Sequence, residues 1–268
     1  RALDAAILRI VGPDRWTCLQ GQVTNDVHAI GPGQSTYTFV VDVRGKILAD
    51  AFVLGREDSL DVVFARSRVD AMAARFDKYI VMEDVEVERP DASIVTAQGP
   101  RAAELGGFHC DRLGWGGVDL VDRSVDELAE QARALGGGEV DEDGWRLARL
   151  RAGRPELDQD FDESCYPQET GLDPIAVSFV KGCYVGQEVV CMLQNRGQLR
   201  RRTVQLFGDL EPEDGATLRI DGAEAGVVRS HAADPEASGA WAIALVKRAH
   251  ATEGQVLPAR PGVLTVRQ

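Results

Sequence analysis

Cysteine is scarce and irregular in this chain: five residues, at positions 18, 110, 165, 183 and 191, with no C-x-x-C pair. An odd, unevenly spaced set excludes a disulfide framework and fits a reducing compartment, so a cytoplasmic location is expected. The four histidines (His28, His109, His231, His250) do not stand in H-x3-H spacing with one another or with the cysteines. Structural zinc draws its ligands from such close pairs, so no intrinsic metal is expected. Long apolar runs are also missing. Nothing approaches the roughly 20 residues that cross a bilayer, and no membrane partner is expected. Positive charge is short, with 30 Lys and Arg against 43 Asp and Glu, a net −13 and a pI near 4.8. That balance excludes a surface that is basic overall, though not a local basic patch. A G-x-S-x-G elbow is absent, and GPGQS at 31–35 lacks the P-loop lysine and reads as a turn.

What is present is ordinary globular composition, 44% hydrophobic and 27% charged, long enough for about two domains. STYTFVVD at 35–42 and KILADAFVL at 46–54 flank Arg44-Gly45 and read as a hairpin; LDVVFA at 60–65 reads as a further strand. Asp14 can cap a short helix carrying Trp16 and Leu19. Val69, Met72, Phe76 and Tyr79 or Ile80 recur at helical spacing, a core stripe. Strands follow at 84–88 and 93–97, then an amphipathic helix at about 125–135 ended by Gly136-Gly137-Gly138. From about 202 short strands recur between Gly, Pro and Asp turns, the texture of a small closed β-domain. The fold class is α+β.

Three stretches carry candidate chemistry. In VKGCYVGQEVV, Cys183 follows Gly182 and precedes a helix starting near Gly186, with Lys181 two residues before it. A helix N-terminus and a nearby ammonium both favour thiolate, so the thiol is a candidate nucleophile; the plainer alternative is a small residue filling a tight turn. NRGQLRRR gathers Arg196, Arg200, Arg201 and Arg202. Such a run is either a solvated strand entrance or an anion site, for a polyglutamate tail or an RNA backbone. RLARLRAGRPELDQDFDESCYPQETGLDP is loop-rich and polar. Within it Glu156 and Glu169 are candidates for a bidentate carboxylate facing a flat amino-heterocycle, or are surface loop residues.

KGCYVGQE at 181–188 resembles the signature of the YgfZ-type folate-binding proteins, relatives of the glycine-cleavage T-protein, an aminomethyltransferase. LQGQVTNDV at 19–27, VDVRGKILAD at 41–50, LRAGRPE at 150–156 and YPQETGL at 166–172 are similar to further family stretches, in the family's order. The resemblance implies a three-domain ring around a central hole. In that layout residues 1–48 and 142–200 form a discontinuous folate-binding domain, 49–141 a ferredoxin-like α+β domain and 201–268 a C-terminal β-barrel. It implies tetrahydrofolate, or a one-carbon-substituted folate, as cofactor, and a role in iron–sulfur protein assembly or repair alongside assembly or client proteins. Cys183, Lys181 and Asp50 correspond to the reactive positions; Glu156, Glu169, Tyr184, Gln187, Glu188 and Arg200 are the expected cofactor contacts. Three departures set the chain apart from the aminomethyltransferases: Arg151 stands where those carry a glutamate, Ala49-Asp50 where they carry an Asp pair, and they lack the KGCY-type cysteine, here Cys183. Folate-dependent aminomethyl or methyl transfer to a small amine or to tRNA is the alternative activity, and a non-catalytic scaffold for iron–sulfur carriers a third.

Overall fold

The structure, a computed structural model, describes residues 1–197, 199–259 and 262–267. The chain divides into two units, residues 1–139 with 174–189, and residues 140–173 with 190–268.

The first unit is built on a five-stranded antiparallel sheet of β1 (Ala5–Val11), β2 (Ser35–Val41), β3 (Ile47–Gly55), β4 (Ser59–Ala65) and β5 (Glu86–Glu88), in the order β2-β3-β4-β1-β5. Alternate side chains leave opposite faces of a strand, and here both faces are covered. On one, Leu8, Ile10, Val40, Ala49, Val53, Leu60, Val62 and Phe64 pack with Leu19 of α1 (Arg15–Gln20) and with Met72, Ala73 and Phe76 of α2 (Val69–Tyr79). The other buries Ala5, Ile7, Phe52, Leu54 and Val63 against Ile94 and Cys110. Double coverage explains why β4 reads as one apolar run, interrupted only by Asp61, which Arg9 and Arg56 neutralise. A second sheet, β6-β8-β7, consists of β6 (Ile94–Gln98), β7 (Phe108–His109) and β8 (Gly117–Val121). It packs on Leu128 of α3 (Val125–Ala134), whose N-terminus Ser124 and Glu127 close as a capping box.

Asp14 occupies the position before α1 without capping it. Its backbone is not extended there (φ −90°, ψ 6°), and its carboxylate accepts instead from the amide of Asp84 at 2.9 Å. The hairpin of β2 and β3, the stripe of α2 and the helix at 125–134 lie where the sequence pattern puts them.

In the second unit α4 (Glu142–Arg151) and the short α5 (Pro167–Thr170) accompany a six-stranded antiparallel sheet. α6 (Asp173–Ala176) and α7 (Gln187–Arg196) run across the division of the chain. The sheet consists of β9 (Arg201–Gly208), β10 (Thr217–Ile220), β11 (Ala223–Asp234), β12 (Gly239–Lys247), β13 (Val256–Pro258) and β14 (Val263–Arg267), ordered β10-β11-β12-β9-β14-β13. Its edge strands β10 and β13 lie beside each other, so the sheet nearly closes around Leu206, Leu218, Val228, Ala244 and Leu264. Among the described residues no helix is long and apolar enough to cross a membrane.

Candidate functional site

Three of the quoted stretches meet in the first unit. Thr24, fully buried, donates its hydroxyl to the carbonyl of Ala176 at 2.6 Å and accepts from the amide of Phe39 at 3.0 Å. Asn25 donates its side-chain amide to Thr36 Oγ1, to the carbonyl of Tyr37 and to that of Ile175. Gln20 donates to Asp26 and accepts from the amide of Val27. The polar residues of LQGQVTND therefore tie residues 174–178 to β2, a structural task performed entirely by hydrogen bonds.

Lys181 completes this knot. Its ammonium donates to the carbonyls of Gln20, Val23 and Asn25 at 2.7, 2.7 and 2.8 Å, using all three of its N–H groups. Burial lowers its pKa from the ordinary lysine value to about 8, while the charge of Asp26 acts the other way. Tyr184, also buried, sets its ring 5.1 Å from the same ammonium.

Gly186 has φ +83°, and a Cβ there would collide with the carbonyl oxygen of Asp42. That carbonyl belongs to the turn after β2, where Asp42 Oδ1 accepts from the amides of Arg44 and Lys46 at 2.8 Å each. Glycine at 186 thus serves close packing of the VRGK turn and a left-handed bend before α7, a reason that spacing alone did not disclose.

Between these anchors Cys183 is exposed, beside Gly182, which has open space around its Cα. Cys18, Cys110 and Cys165 are buried, and burial pushes the Cys110 thiol up to about 12. The Lys181 ammonium is committed to backbone carbonyls on the buried side of the loop rather than to the thiol. Gln187 opens α7 and reaches back toward the Gly182 carbonyl at 3.5 Å; Glu188, in the first turn of that helix, is exposed.

Asp50 lies on β3, where Tyr37 donates its phenol to Oδ2 at 2.8 Å. In the β2–β3 register Tyr37 faces Phe52 and Phe39 faces Asp50, so these four side chains leave the sheet on one side. Tyr37 packs 5.1 Å from the Phe52 ring, and the guanidinium of Arg112, paired with buried Asp119, sits 4.5 Å from the Phe52 ring centroid within the field of Asp50. A carboxylate at the margin of an aromatic surface can hold a flat cationic or N–H-bearing ring. Tyr37 was not among the residues singled out from the sequence; the diagonal pairing that joins it to Asp50 needs the register.

The remaining candidates belong to the second unit. Glu169 is 6% exposed with both oxygens engaged: Oε1 accepts from Arg201 at 3.1 Å and Oε2 from the amide of Tyr166 at 2.9 Å. It closes α5 and holds Arg201 inward. Glu156 is 51% exposed and pairs with Arg149 at 3.2 Å. Arg149 is buried and also pairs with Asp160, which accepts from Ser230 and from the amide of Glu156. Arg151 binds Asp234 and Glu236, so a cation at this position is answered by carboxylates of β11 and the turn after it. Arg200 is exposed just before β9; the side chain of Arg196 lies outside the described residues. Among the described residues no cluster of three or more metal-ligating side chains occurs.

No family model matches the chain. It is 28% identical to the tRNA-modifying protein YgfZ of Yersinia pestis, over 77% of this chain and 69% of that relative. The tRNA-modifying protein YgfZ of Aliivibrio fischeri is 27% identical, over 81% and 73% of the two chains. The fold is that of the glycine cleavage system aminomethyltransferase T of Bartonella henselae, with a TM-score of 0.86 at 21% identity, covering all of this chain and 84% of that one.

Proposed function

From its similarity to the YgfZ proteins and the fold it shares with a glycine-cleavage aminomethyltransferase, we propose that the chain binds tetrahydrofolate and acts through Cys183. Its field of action is tRNA modification, for which its relatives are named, together with assembly or repair of iron–sulfur proteins. The observation that carries this reading is the presentation of Cys183. Lys181, Tyr184 and Gly186 pin the loop on both sides of the thiol, yet the thiol itself is exposed and fills no core. A side chain that contributes nothing to packing, held in so constrained a frame, is suited to meeting a partner, and a thiolate is a strong nucleophile.

The residues present fit a folate in part. In the first unit Asp50, which accepts from Tyr37 beside the buried rings of Phe39 and Phe52, suits a ring nitrogen; in the second unit Glu156 is paired with Arg149. Glu169 does not fit, since its oxygens are already taken. Arg200 offers an unshielded guanidinium to an anion. Tyr184 works beneath the loop, and Gln187 and Glu188 lie at the start of α7. Bound folate would supply a one-carbon unit or reducing equivalents; the chain's own part is to orient the ring and to present the thiol.

Two measurements test this. Tetrahydrofolate at 100 times its dissociation constant stabilises the folded protein by about 2.7 kcal/mol, read as a rise in Tm. No shift at saturating folate turns the reading into that of a scaffold. Cys183→Ala, introduced into a strain lacking its own copy, leaves iron–sulfur enzyme activity and tRNA modification unrestored; full rescue removes the thiol from the mechanism.

Aminomethyl or methyl transfer is a second reading, favoured by the Tyr37–Asp50 hydrogen bond, which fixes a carboxylate where a reacting nitrogen could be held. It requires turnover with folate and an amine or tRNA acceptor, abolished in Asp50→Asn.

A further inference from the structure

Five arginines of the second unit are neutralised. Arg146 pairs with Asp214, Arg149 with Asp160 and Glu156, Arg151 with Asp234 and Glu236, Arg201 with Glu169, and Arg229 with Asp162. At one corner several cations without an ion pair gather. Among the described residues Arg200, Arg202, Lys247 and Arg248 make no ion pair, on a chain with 43 acidic residues against 30 basic ones.

The register sets these cations at one sheet end, Lys247 on the face of Arg201 and Arg202 on the opposite face. Arg201 stands opposite Lys247 and Arg202 opposite Val246, and the amide of Arg248 donates to the carbonyl of Arg200 at 2.9 Å. The start of β9 and the end of β12 therefore deliver cations from adjacent strand ends. Arg200, Lys247 and Arg248 are exposed, and Arg202 is half-buried. Arg202 shares its face of β9 with Val204 and Leu206, which line the barrel core, while Arg201 leaves the other face toward Glu169. Asp173 is the carboxylate in their field; burial raises its pKa, and Arg202 and Arg248 offset that rise.

Gathered like charges without partners cost stability unless something anionic answers them. The group is spread over two strand ends and open to solvent, which suits a chain of anions better than a single ion. Guanidinium groups match phosphate oxygens with paired N–H donors. We propose that Arg200, Arg202, Lys247 and Arg248 form a docking surface for the phosphate backbone of RNA. The proposal rests on the reading of this protein as one acting in tRNA modification, and it names the surface that meets the RNA. Phosphate contacts position a nucleic acid without reading its sequence, so binding here is sequence-tolerant and weakened by salt.

The test is fluorescence anisotropy of labelled tRNA with the full chain and two double variants of equal net charge. In the first, Lys247→Glu and Arg248→Glu, affinity falls at least about tenfold and the slope of log K against log salt becomes shallower by about 1.5, as two lost phosphate contacts require. In the second, Lys78→Glu and Arg133→Glu, on exposed positions of α2 and α3, affinity stays within about twofold. Lys247→Gln with Arg248→Gln gives an intermediate loss and guards against misfolding, which Tm reports for each variant. Equal losses in both Glu pairs, or none in either, overturn the surface while tRNA binding itself stands. Wild-type protein that binds no tRNA at low salt overturns the surface and the tRNA reading together. Poly-L-glutamate that binds through Lys247 and Arg248 where tRNA does not assigns the corner to carboxylates instead.

Discussion

The ammonium of Lys181 donates to the carbonyl of Val23 at 2.7 Å across 158 positions of sequence. With the carbonyls of Gln20 and Asn25 it forms a three-way tie that fixes the base of the Cys183 loop. Lys181→Met keeps the aliphatic stem and leaves three buried acceptors without a donor, at roughly 1–3 kcal/mol for an unsatisfied group. We expect a loss of about 3 kcal/mol or more in urea unfolding. Lys181→Arg does not rescue it, because a planar fork cannot reach three converging carbonyls.

The two glycines of the loop differ sharply. Gly186→Ala combines a φ of +83° with a collision against the Asp42 carbonyl and destabilises by about 2–4 kcal/mol. Gly182→Ala enters open space and changes stability by less than about 1 kcal/mol. Equal effects in the two variants would refute the packing of the VRGK turn on Gly186.

Thiol accessibility orders the cysteines. With Ellman's reagent on native protein, Cys183 reacts fast and the intermediate Cys191 slowly, and the buried Cys18, Cys110 and Cys165 only after unfolding. Cys183→Ser removes the fast phase and leaves Tm unchanged, since the thiol makes no core contact.

Acid stability reports on Asp234. Its carboxylate is held well below the usual aspartate range by Arg151, against the opposing effect of burial, with help from the amide of Ala237 and the indole of Trp241. A carboxyl whose folded-state pKa is depressed stabilises the fold above the ordinary aspartate value of about 4 and loses that contribution as pH falls toward the folded value. Tm of the wild type therefore drops below about pH 4. In Asp234→Asn the drop is shallower and the Tm at neutral pH is lower. Identical pH profiles would show that the Arg151 pair does not couple to folding.

Much of this protein was legible in its residues. The α2 stripe of Met72 and Phe76, the hairpin around Arg44-Gly45, the helix ended by Gly136 and the run of short C-terminal strands follow from period and turn chemistry, which act over a few residues. So did the resemblance of KGCYVGQE, because a motif is a local pattern. What the residues could not disclose is which polar groups face one another. Lys181 next to Cys183 suggested an activator of the thiol, and the fold turned its ammonium to backbone carbonyls. Glu169 suggested a ligand, and the fold spent its oxygens on Tyr166 and Arg201. Tyr37 reaches Asp50, and Arg201 stands opposite Lys247, only through strand register. Apolar patterning is a property of single segments and survives in one dimension; hydrogen bonds and ion pairs are made by whichever distant group arrives, and only the tertiary structure decides that.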